Sequence, residues 1–188
     1  MISRHLLILA IPIFLVSSVT RIVAEQAATG TNNSIDLNGL TYTVTNVFVS
    51  QGSKFIEAKD DELYVIVRLS VKNPKPKMVR LNTEFNVIDG DGLMYDLDFG
   101  ASFFMEHGLD MDNKVMPRTS KLINIVFKVP MKRLNGDKEW ALLVPNENDE
   151  NSPGTIKLGK PIGFFDGPGK TDWGGEGQKN SITPPTPD

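Results

Sequence analysis

The 188-residue chain contains no cysteine. Without cysteine it forms no disulfide, holds no thiolate-ligated zinc and has no thiol nucleophile. A bacterial lipoprotein anchor is not expected either, because lipid attachment needs a cysteine at the processing site. The stability of the fold must therefore come from an apolar core, and 40% of the residues are hydrophobic.

Histidine is also scarce, and basic residues are slightly outnumbered by acidic ones (20 against 23). The chain has two histidines, His5 and His107, and a net charge of -3. One imidazole outside the N-terminal segment is too few for a histidine-ligated metal hydrolase, and the chain has neither a Gly-x-Ser-x-Gly elbow nor a phosphate-binding glycine loop. Nucleic-acid phosphates need a basic surface. We therefore predict a protein that is not an enzyme, carries no cofactor and binds no nucleic acid.

Residues 1–24 have the features of a signal peptide. Arg4 gives a basic start, an apolar stretch follows, and small residues lead to Ala24. The apolar stretch is about half of the ~20 residues that cross a bilayer, so no stable membrane span is expected after cleavage at Ala24 or Ser18. Cleavage after Ala24 changes the net charge from -3 to -5, because Arg4 and Arg21 are removed. The sequence predicts export, as a soluble periplasmic or extracellular protein.

Alternating apolar residues predict β-strands after a flexible leader at residues 25–33. From Leu63 to Val71 every odd position is apolar, which gives an extended chain one apolar face. Turn signals at Asn38-Gly39 and at residues 89–92 separate strands, and a slip in the alternation near Thr45 predicts a β-bulge. The residues predicted to face the core on the two clearest strands are Val65, Val67, Leu69, Val71, Ile123, Ile125, Phe127 and Val129.

The other segments have weaker patterns. The polar residues 51–62 are predicted to form a loop, and residues 99–120 a long irregular crossover. No stretch shows a helical period over ten residues or more. Residues 34–165 are therefore predicted to form an all-β domain, an immunoglobulin-like antiparallel β-sandwich of about seven to eight strands. The Gly- and Pro-rich tail at 166–188 is predicted to be disordered or loosely attached.

Three segments resemble the DUF4352 family: VIVRLSVKN (65–73), FNVIDGDGLMYDL (85–97) and MPRTSKLINIVFKVP (116–130). The family pattern has a strand ending in Asn, an Asp-x-x-Gly-x-x-Tyr hairpin and a strand ending Phe-x-Val-Pro. The matching residues are Asn73, Asp89, Gly92, Tyr95, Phe127, Val129 and Pro130. The resemblance implies an exported immunoglobulin-like β-sandwich over roughly residues 34–145, related in shape to the mycobacterial secreted antigen MPT63. Arg118 stands where the family usually has glycine, and the family implies no catalytic residue.

Two kinds of side-chain cluster could carry chemistry. The aspartate pairs at 89 and 91 and at 110 and 112 lie in a predicted hairpin tip and in the predicted crossover, and Asp96 and Asp98 share a predicted strand face. Turn chemistry explains the pairs best, with a weak surface cation site as the alternative. The second cluster lies in the predicted crossover, and its thioethers and imidazole are ligands that suit copper. Methionines also fill irregular gaps in cores, so packing is the alternative for this cluster. Its members are Met105, His107, Met111 and Met116.

These observations predict a non-enzymatic exported binding or interaction domain, either in a bacterial cell envelope or secreted. Its expected partner is another envelope or extracellular protein, an inference that depends on analogy between folds. Two alternatives stay open. One is a periplasmic copper-binding protein that uses the Met/His cluster, and the other is an envelope structural subunit that adds a strand to the sheet edge of a partner.

Overall fold

The computed structural model of the protein describes residues 33–53, 56–166 and 182–186. The predicted signal peptide (1–24), most of the predicted leader and most of the predicted tail lie outside these residues. Two 3-10 helices span Met131–Asn135 and Pro161–Asp166. The other elements in chain order are β1 (Ser34–Leu37), β2 (Leu40–Ser50), β3 (Gly52–Ser53), β4 (Ile56–Glu57), β5 (Glu62–Lys72), β6 (Val79–Arg80), β7 (Asn86–Ile88), β8 (Met94–Asp96), α1 (Phe99–Phe104), β9 (Lys114–Val115), β10 (Ser120–Pro130), β11 (Trp140–Val144) and β12 (Gly154–Gly159).

Eight of the strands form two four-stranded sheets. The first sheet has the strand order β1-β2-β5-β10, and the second has the order β12-β11-β7-β8. The short strands form two ribbons, β3 with β4 and β6 with β9. The strand pairs are antiparallel in both sheets and both ribbons. The predicted fold, an immunoglobulin-like antiparallel β-sandwich, is confirmed.

The core lies between the two sheets. The eight residues predicted to face inward on β5 and β10 are all fully buried. The second sheet contributes Trp140, whose indole stacks on the Tyr95 ring at a centroid distance of 5.9 Å. Phe164 meets the same indole edge-on at 5.8 Å. Large rings with these offset and edge contacts fill the space between the sheets.

The predicted first hairpin and the predicted bulge are confirmed. Asn38 and Gly39 join β1 to β2 with φ angles of 54° and 73°. Both angles are positive, as a type I′ turn requires. The register between β2 and β5 shifts between Val44 and Asn46, so Thr45 is the extra residue of a bulge.

Two predictions about loops are wrong in part. Residues 51–62 contain the β3–β4 ribbon, and residues 99–120 contain α1 and β9. A helix of six residues completes fewer than two turns, so the sequence shows no helical period for it. The helix also covers the outer face of β5. Tyr64 and Ile66 on that face of the strand are therefore buried rather than exposed to water.

Asn73 joins three chain segments at the end of β5. Its side chain is fully buried. Nδ2 donates to the carbonyl oxygens of Lys77, Val115 and Met116, and Oδ1 accepts the backbone N–H of Lys75. An amide side chain can both donate and accept in this way. The asparagine of the family pattern therefore has a structural role.

Asp89 organises the hairpin between β7 and β8. Its Oδ1 accepts the backbone N–H groups of Asp91 and Leu93, and its Oδ2 accepts the Tyr95 hydroxyl, each at 2.9 Å. Arg133 Nη1 lies 4.0 Å from the same Oδ2. Burial, and next the hydrogen bond to Asp89, raises the pKa of Tyr95 to about 12, so the hydroxyl remains a donor at neutral pH. The Asp-x-x-Gly-x-x-Tyr pattern is one hydrogen-bonded unit.

Part of the predicted tail contacts the sandwich. Ile182 packs against the core between the sheets. Asn135 Nδ2 donates to the carbonyl oxygen of Thr186 at 3.0 Å. Residues 182–186 are therefore attached to the domain, and residues 167–181 lie outside the described part of the chain.

Replacing Asp89 tests the hairpin unit. Asp89→Ala removes the acceptor of three hydrogen bonds, two of them from backbone groups, so we expect the free energy of unfolding to fall by about 3 kcal/mol. Urea denaturation measures the loss. The matched control is Asp96→Ala, an exposed aspartate on β8, which should change stability by less than about 0.5 kcal/mol. Equal losses in the two variants would contradict the role of Asp89.

Arg118 offers a test in which glycine is expected to give a more stable protein than alanine. Its φ is 55°, in the left-handed region where a side chain is strained and glycine is not. Because the Arg118 side chain is exposed, the backbone conformation decides the outcome. We expect Arg118→Gly to be more stable than Arg118→Ala by about 1 kcal/mol, measured by urea denaturation. The usual order, with alanine more stable than glycine, would show that the turn is not strained.

Candidate interaction surface

α1 begins at a capping aspartate. Asp98 Oδ1 accepts the backbone N–H of Ala101 at 2.9 Å, and the Asp98 carbonyl accepts the Ser102 backbone N–H at 2.9 Å and its hydroxyl at 2.8 Å. These bonds satisfy donors in the first turn. Beyond the helix, Gly108 passes so close to the Ser102 carbonyl that a Cβ atom would clash. The chain can therefore turn back here only with glycine.

The segment that carries α1 covers the outer edge of β10, the last strand of its sheet. The N–H of Asp98 donates to the Val126 carbonyl at 2.8 Å, and the N–H of Val126 donates to Ser102 Oγ at 3.0 Å. The N–H of Asn124 donates to the His107 carbonyl at 2.7 Å. An open edge is a template for pairing with another chain. Because the α1 segment already bonds to it, the middle of the β10 edge is closed to pairing with another chain.

Asn124 holds the chain that follows α1. It is fully buried on the outer face of the first sheet. Its Nδ2 donates to the Glu106 carbonyl at 2.7 Å, and its Oδ1 accepts Nε of Arg68 at 3.0 Å. The Arg68 guanidinium lies 5.6 Å from the centre of the Phe48 ring. A buried amide with its groups satisfied fixes the position of the segment.

α1 has one buried face and one exposed face. Ala101 and Met105 lie four residues apart and are buried in a cluster with the outer-face residues Phe48, Tyr64, Ile66 and Val126. Three phenylalanines are turned toward solvent instead, and we call them the aromatic surface. They are Phe99, Phe103 and Phe104, with exposed fractions of 40%, 44% and 61%.

The rings of the aromatic surface contact one another. Phe99 and Phe103 are stacked, with centroids 6.4 Å apart and an interplanar angle of 27°. Phe103 and Phe104 meet edge to face at 5.6 Å and 88°. Single exposed apolar residues are normal on protein surfaces, whereas contiguous patches mark interaction sites. These three rings form a contiguous patch.

Charged and polar side chains flank α1 in two separate pairs. Lys128 Nζ lies 3.6 Å from Asp98 Oδ2 and 5.7 Å from the centre of the Tyr64 ring. Burial, with a smaller effect of the Asp98 carboxylate, raises the pKa of Tyr64. His107 Nε2 lies 3.7 Å from Glu106 Oε1. An apolar centre with a polar margin is the usual composition of a protein–protein interface.

The four residues of the predicted Met/His site have different surroundings. Met105 is 5% exposed and belongs to the cluster under α1, which fits the packing alternative. Met111 and Met116 are 77% and 57% exposed. His107 has a half-exposed side chain and a φ of 55°. Copper binding by these residues stays a prediction.

Most of the predicted aspartates lie in turns and caps, but Asp96 lies on β8 and Asp98 follows that strand as the cap of α1, so the prediction that these two share a strand face is wrong. Asp89 and Asp98 have the roles described above. Asp110 accepts the backbone N–H of Asn113 and pairs with Lys121 Nζ at 2.6 Å, and the bond to Lys121 is the main reason that its pKa lies below the usual value. Within the described residues, no group of three or more carboxylate or imidazole side chains could hold a metal ion. The arrangement fits turn chemistry.

The profile of one protein family matches the part of the chain that contains most of the strands and hairpins described above. The profile named Domain of unknown function (DUF4352) matches residues 29–140. The chain belongs to the DUF4352 family. The predicted resemblance is therefore confirmed, and α1 lies inside the matched range of this DUF4352 domain.

Two solved structures resemble the domain. One is ycdA from Bacillus subtilis, a proposed lipoprotein, with 17% identity and a TM-score of 0.52 over 73% of this chain. The chain covers only 42% of the length of ycdA. The other is a conserved hypothetical protein from Bacillus anthracis, with 16% identity and a TM-score of 0.51, covering 68% of this chain and 94% of that one. At such identities the likeness shows a shared fold alone.

Two further findings concern the relatives and the helices of the chain. No curated protein matches the chain, so no activity comes to this DUF4352 domain from a characterised relative. Within the described residues, no helix has both the length and the apolar character that crossing a membrane requires.

The sequence contains one signal for the aromatic surface that its alternation patterns do not show. Asp98 precedes a run with three phenylalanines, and an aspartate in this place is a common start of a helix. Phe99 and Phe103, four residues apart, would share a face of that helix. Nothing in the sequence tells which face is buried, since that depends on the sheet beneath it.

Ser102 tests how the α1 segment is attached to β10. Ser102→Ala leaves the buried N–H of Val126 without its acceptor, so we expect a loss of about 2 kcal/mol in the free energy of unfolding. The Val126 amide should also exchange its hydrogen faster, which NMR measures residue by residue. Ser120→Ala, at an exposed serine of the same strand, is the control. Unchanged exchange at Val126 would show that Ser102 does not hold this edge.

Proposed function

We propose that this DUF4352 domain is a non-enzymatic exported interaction domain that binds another envelope or extracellular protein through the aromatic surface. The observation that carries the proposal is the contiguous patch of Phe99, Phe103 and Phe104. These rings lie on a helix whose opposite face is anchored to the first sheet. Aromatic residues are enriched at the energetic centres of protein interfaces.

The size of the patch suits the centre of an interface rather than a whole one. About half of each ring is exposed, so a partner could cover roughly 100 Å² per ring, on the order of 7 kcal/mol for three rings before the costs of association. Those costs are about 4–15 kcal/mol. The patch therefore needs surrounding polar contacts, and the charged groups of Lys128, Asp98 and Glu106 lie where such contacts would form.

The anchoring of α1 favours binding, because the helix is already ordered before a partner binds. Asp98 caps the helix, Ser102 joins it to β10, and Asn124 holds the chain that follows. A surface that already has its bound conformation loses less entropy on association.

Export is supported by two observations. The N-terminal residues have the pattern of a signal peptide, and the fold resembles that of the proposed lipoprotein ycdA.

Of the two alternatives, strand addition has less support at β10, since the α1 segment already bonds to the middle of that edge. No contact among the described residues favours the copper alternative.

Site-specific photo-crosslinking tests the proposed function in cells that export the protein. A photoreactive phenylalanine analogue placed at Phe103 should give one discrete heavier adduct, identified by mass spectrometry as a heterologous exported protein. The adduct should disappear when Phe99→Ser and Phe104→Ser are added. The matched control position is Asp137, which is exposed and lies outside the aromatic surface.

Three results would contradict the proposal. They are the absence of any adduct at Phe103, the same adducts at Phe103 and Asp137, and an adduct with twice the mass of the chain alone. Circular dichroism of the Phe99→Ser and Phe104→Ser protein should show unchanged strand content, because both side chains point away from the cluster under α1. A loss of binding can then be assigned to the surface and not to unfolding.

A further inference from the structure

The outer face of the second sheet carries a groove that shares no residue with the aromatic surface. It has a volume of about 430 Å³ and lies between the chain entering β7, strand β8 and the β11–β12 loop. Its apolar lining comes from Met94, Leu143, Pro145 and Pro153. Leu143 pairs with a β7 residue in the sheet register, so part of the lining is the sheet itself. Sites for ligands typically have volumes in this range.

Three carboxylates at the groove form no ion pair among the described residues. Glu84, Glu147 and Glu150 line the groove and are exposed. Within the described part of the chain, none of them has an ion-pair partner, and no lysine or arginine lines the groove. Lys157, on the same face of the sheet, pairs with Glu139 at 3.0 Å. A concave surface with uncompensated negative charge concentrates cationic ligands.

The loop that supplies two of these carboxylates is braced. Asn38 Nδ2 donates to the Pro145 carbonyl at 3.0 Å, and Asn38 Oδ1 accepts the backbone N–H of Glu147 at 3.2 Å. Asn146 Nδ2 donates to the Ser152 carbonyl at 3.0 Å across the loop. The β1–β2 turn therefore supports the groove wall, and the wall is formed before any ligand arrives.

The spacing of the charges decides what kind of cation fits. No three carboxylate or imidazole side chains among the described residues are close enough together to hold a metal ion. A ligand must then carry separated positive charges and an apolar part that contacts Met94 and Leu143. We propose that the groove binds an extended peptide segment of a partner in which lysine or arginine alternates with apolar residues. Charge complementarity and the apolar lining carry this inference.

A short peptide serves as the probe. A fluorescently labelled Lys-Leu-Lys-Leu-Lys peptide should bind the purified protein saturably, measured by fluorescence anisotropy at low and physiological salt. Converting Glu84, Glu147 and Glu150 to glutamine should weaken binding at least tenfold. The control variant changes the net charge equally but away from the groove, at exposed residues, through Glu57→Gln, Asp60→Asn and Asp61→Asn. It should weaken binding less than twofold.

The apolar lining has its own test. Met94→Ser should weaken the Lys-Leu-Lys-Leu-Lys complex several-fold, and a Lys-Ser-Lys-Ser-Lys peptide should bind the unmodified protein more weakly by a similar factor. Equal effects of the groove and control triple variants would show non-specific charge attraction and overturn the proposal. Equal affinity for the two peptides, or no saturable binding, would also overturn it. Phe99→Ser with Phe104→Ser should leave peptide binding unchanged, so failure here and failure of the aromatic surface are distinguishable.

Discussion

The outer edge of β10 imposes the constraint on which the rest of the structure depends. This strand has 11 residues and ends its sheet, and backbone groups on an exposed edge need partners. The chain after β8 supplies them from Asp98, Ser102 and His107. Because those bonds hold the segment beside the strand, α1 must lie over the outer face of the first sheet.

The position of α1 changes the character of that sheet. One face of β5 and β10 packs against the second sheet, and Tyr64, Ile66 and Val126 on the other face pack under the helix. A sheet covered on both faces needs apolar residues on both, as the near-continuous apolar stretch of β5 shows. The same helix can bury only one of its own faces, and its phenylalanines occupy the other.

The residues of the family pattern and the proposed binding residues form separate sets. Asn73 joins chain segments at a strand end, and Asp89 with Tyr95 builds a turn. These contacts are internal to the domain. The aromatic surface and the groove lie on connections and outward strand faces between these positions. This division fits a scaffold on which different binding surfaces can be built.

The strands, the first hairpin and the bulge could be predicted because their causes are local. Alternation specifies which face of β10 is apolar, and Asn38-Gly39 specifies a tight turn, whatever the rest of the chain does. Alternation and turn signals do not predict α1. It is too short to show a period, and a cap such as Asp98 occurs also in loops.

The sequence by itself determined the fold class, the succession of the main strands along the chain and the inward-facing residues of β5 and β10. Only the tertiary structure decided that Met105 is buried while Phe103 is exposed, since both are apolar and lie two residues apart. It likewise brought Glu84 to one groove with Glu150, although 66 positions separate them in the chain. Alternation and turn chemistry act between neighbours in the chain, whereas exposure and the convergence of charges depend on contacts between distant segments.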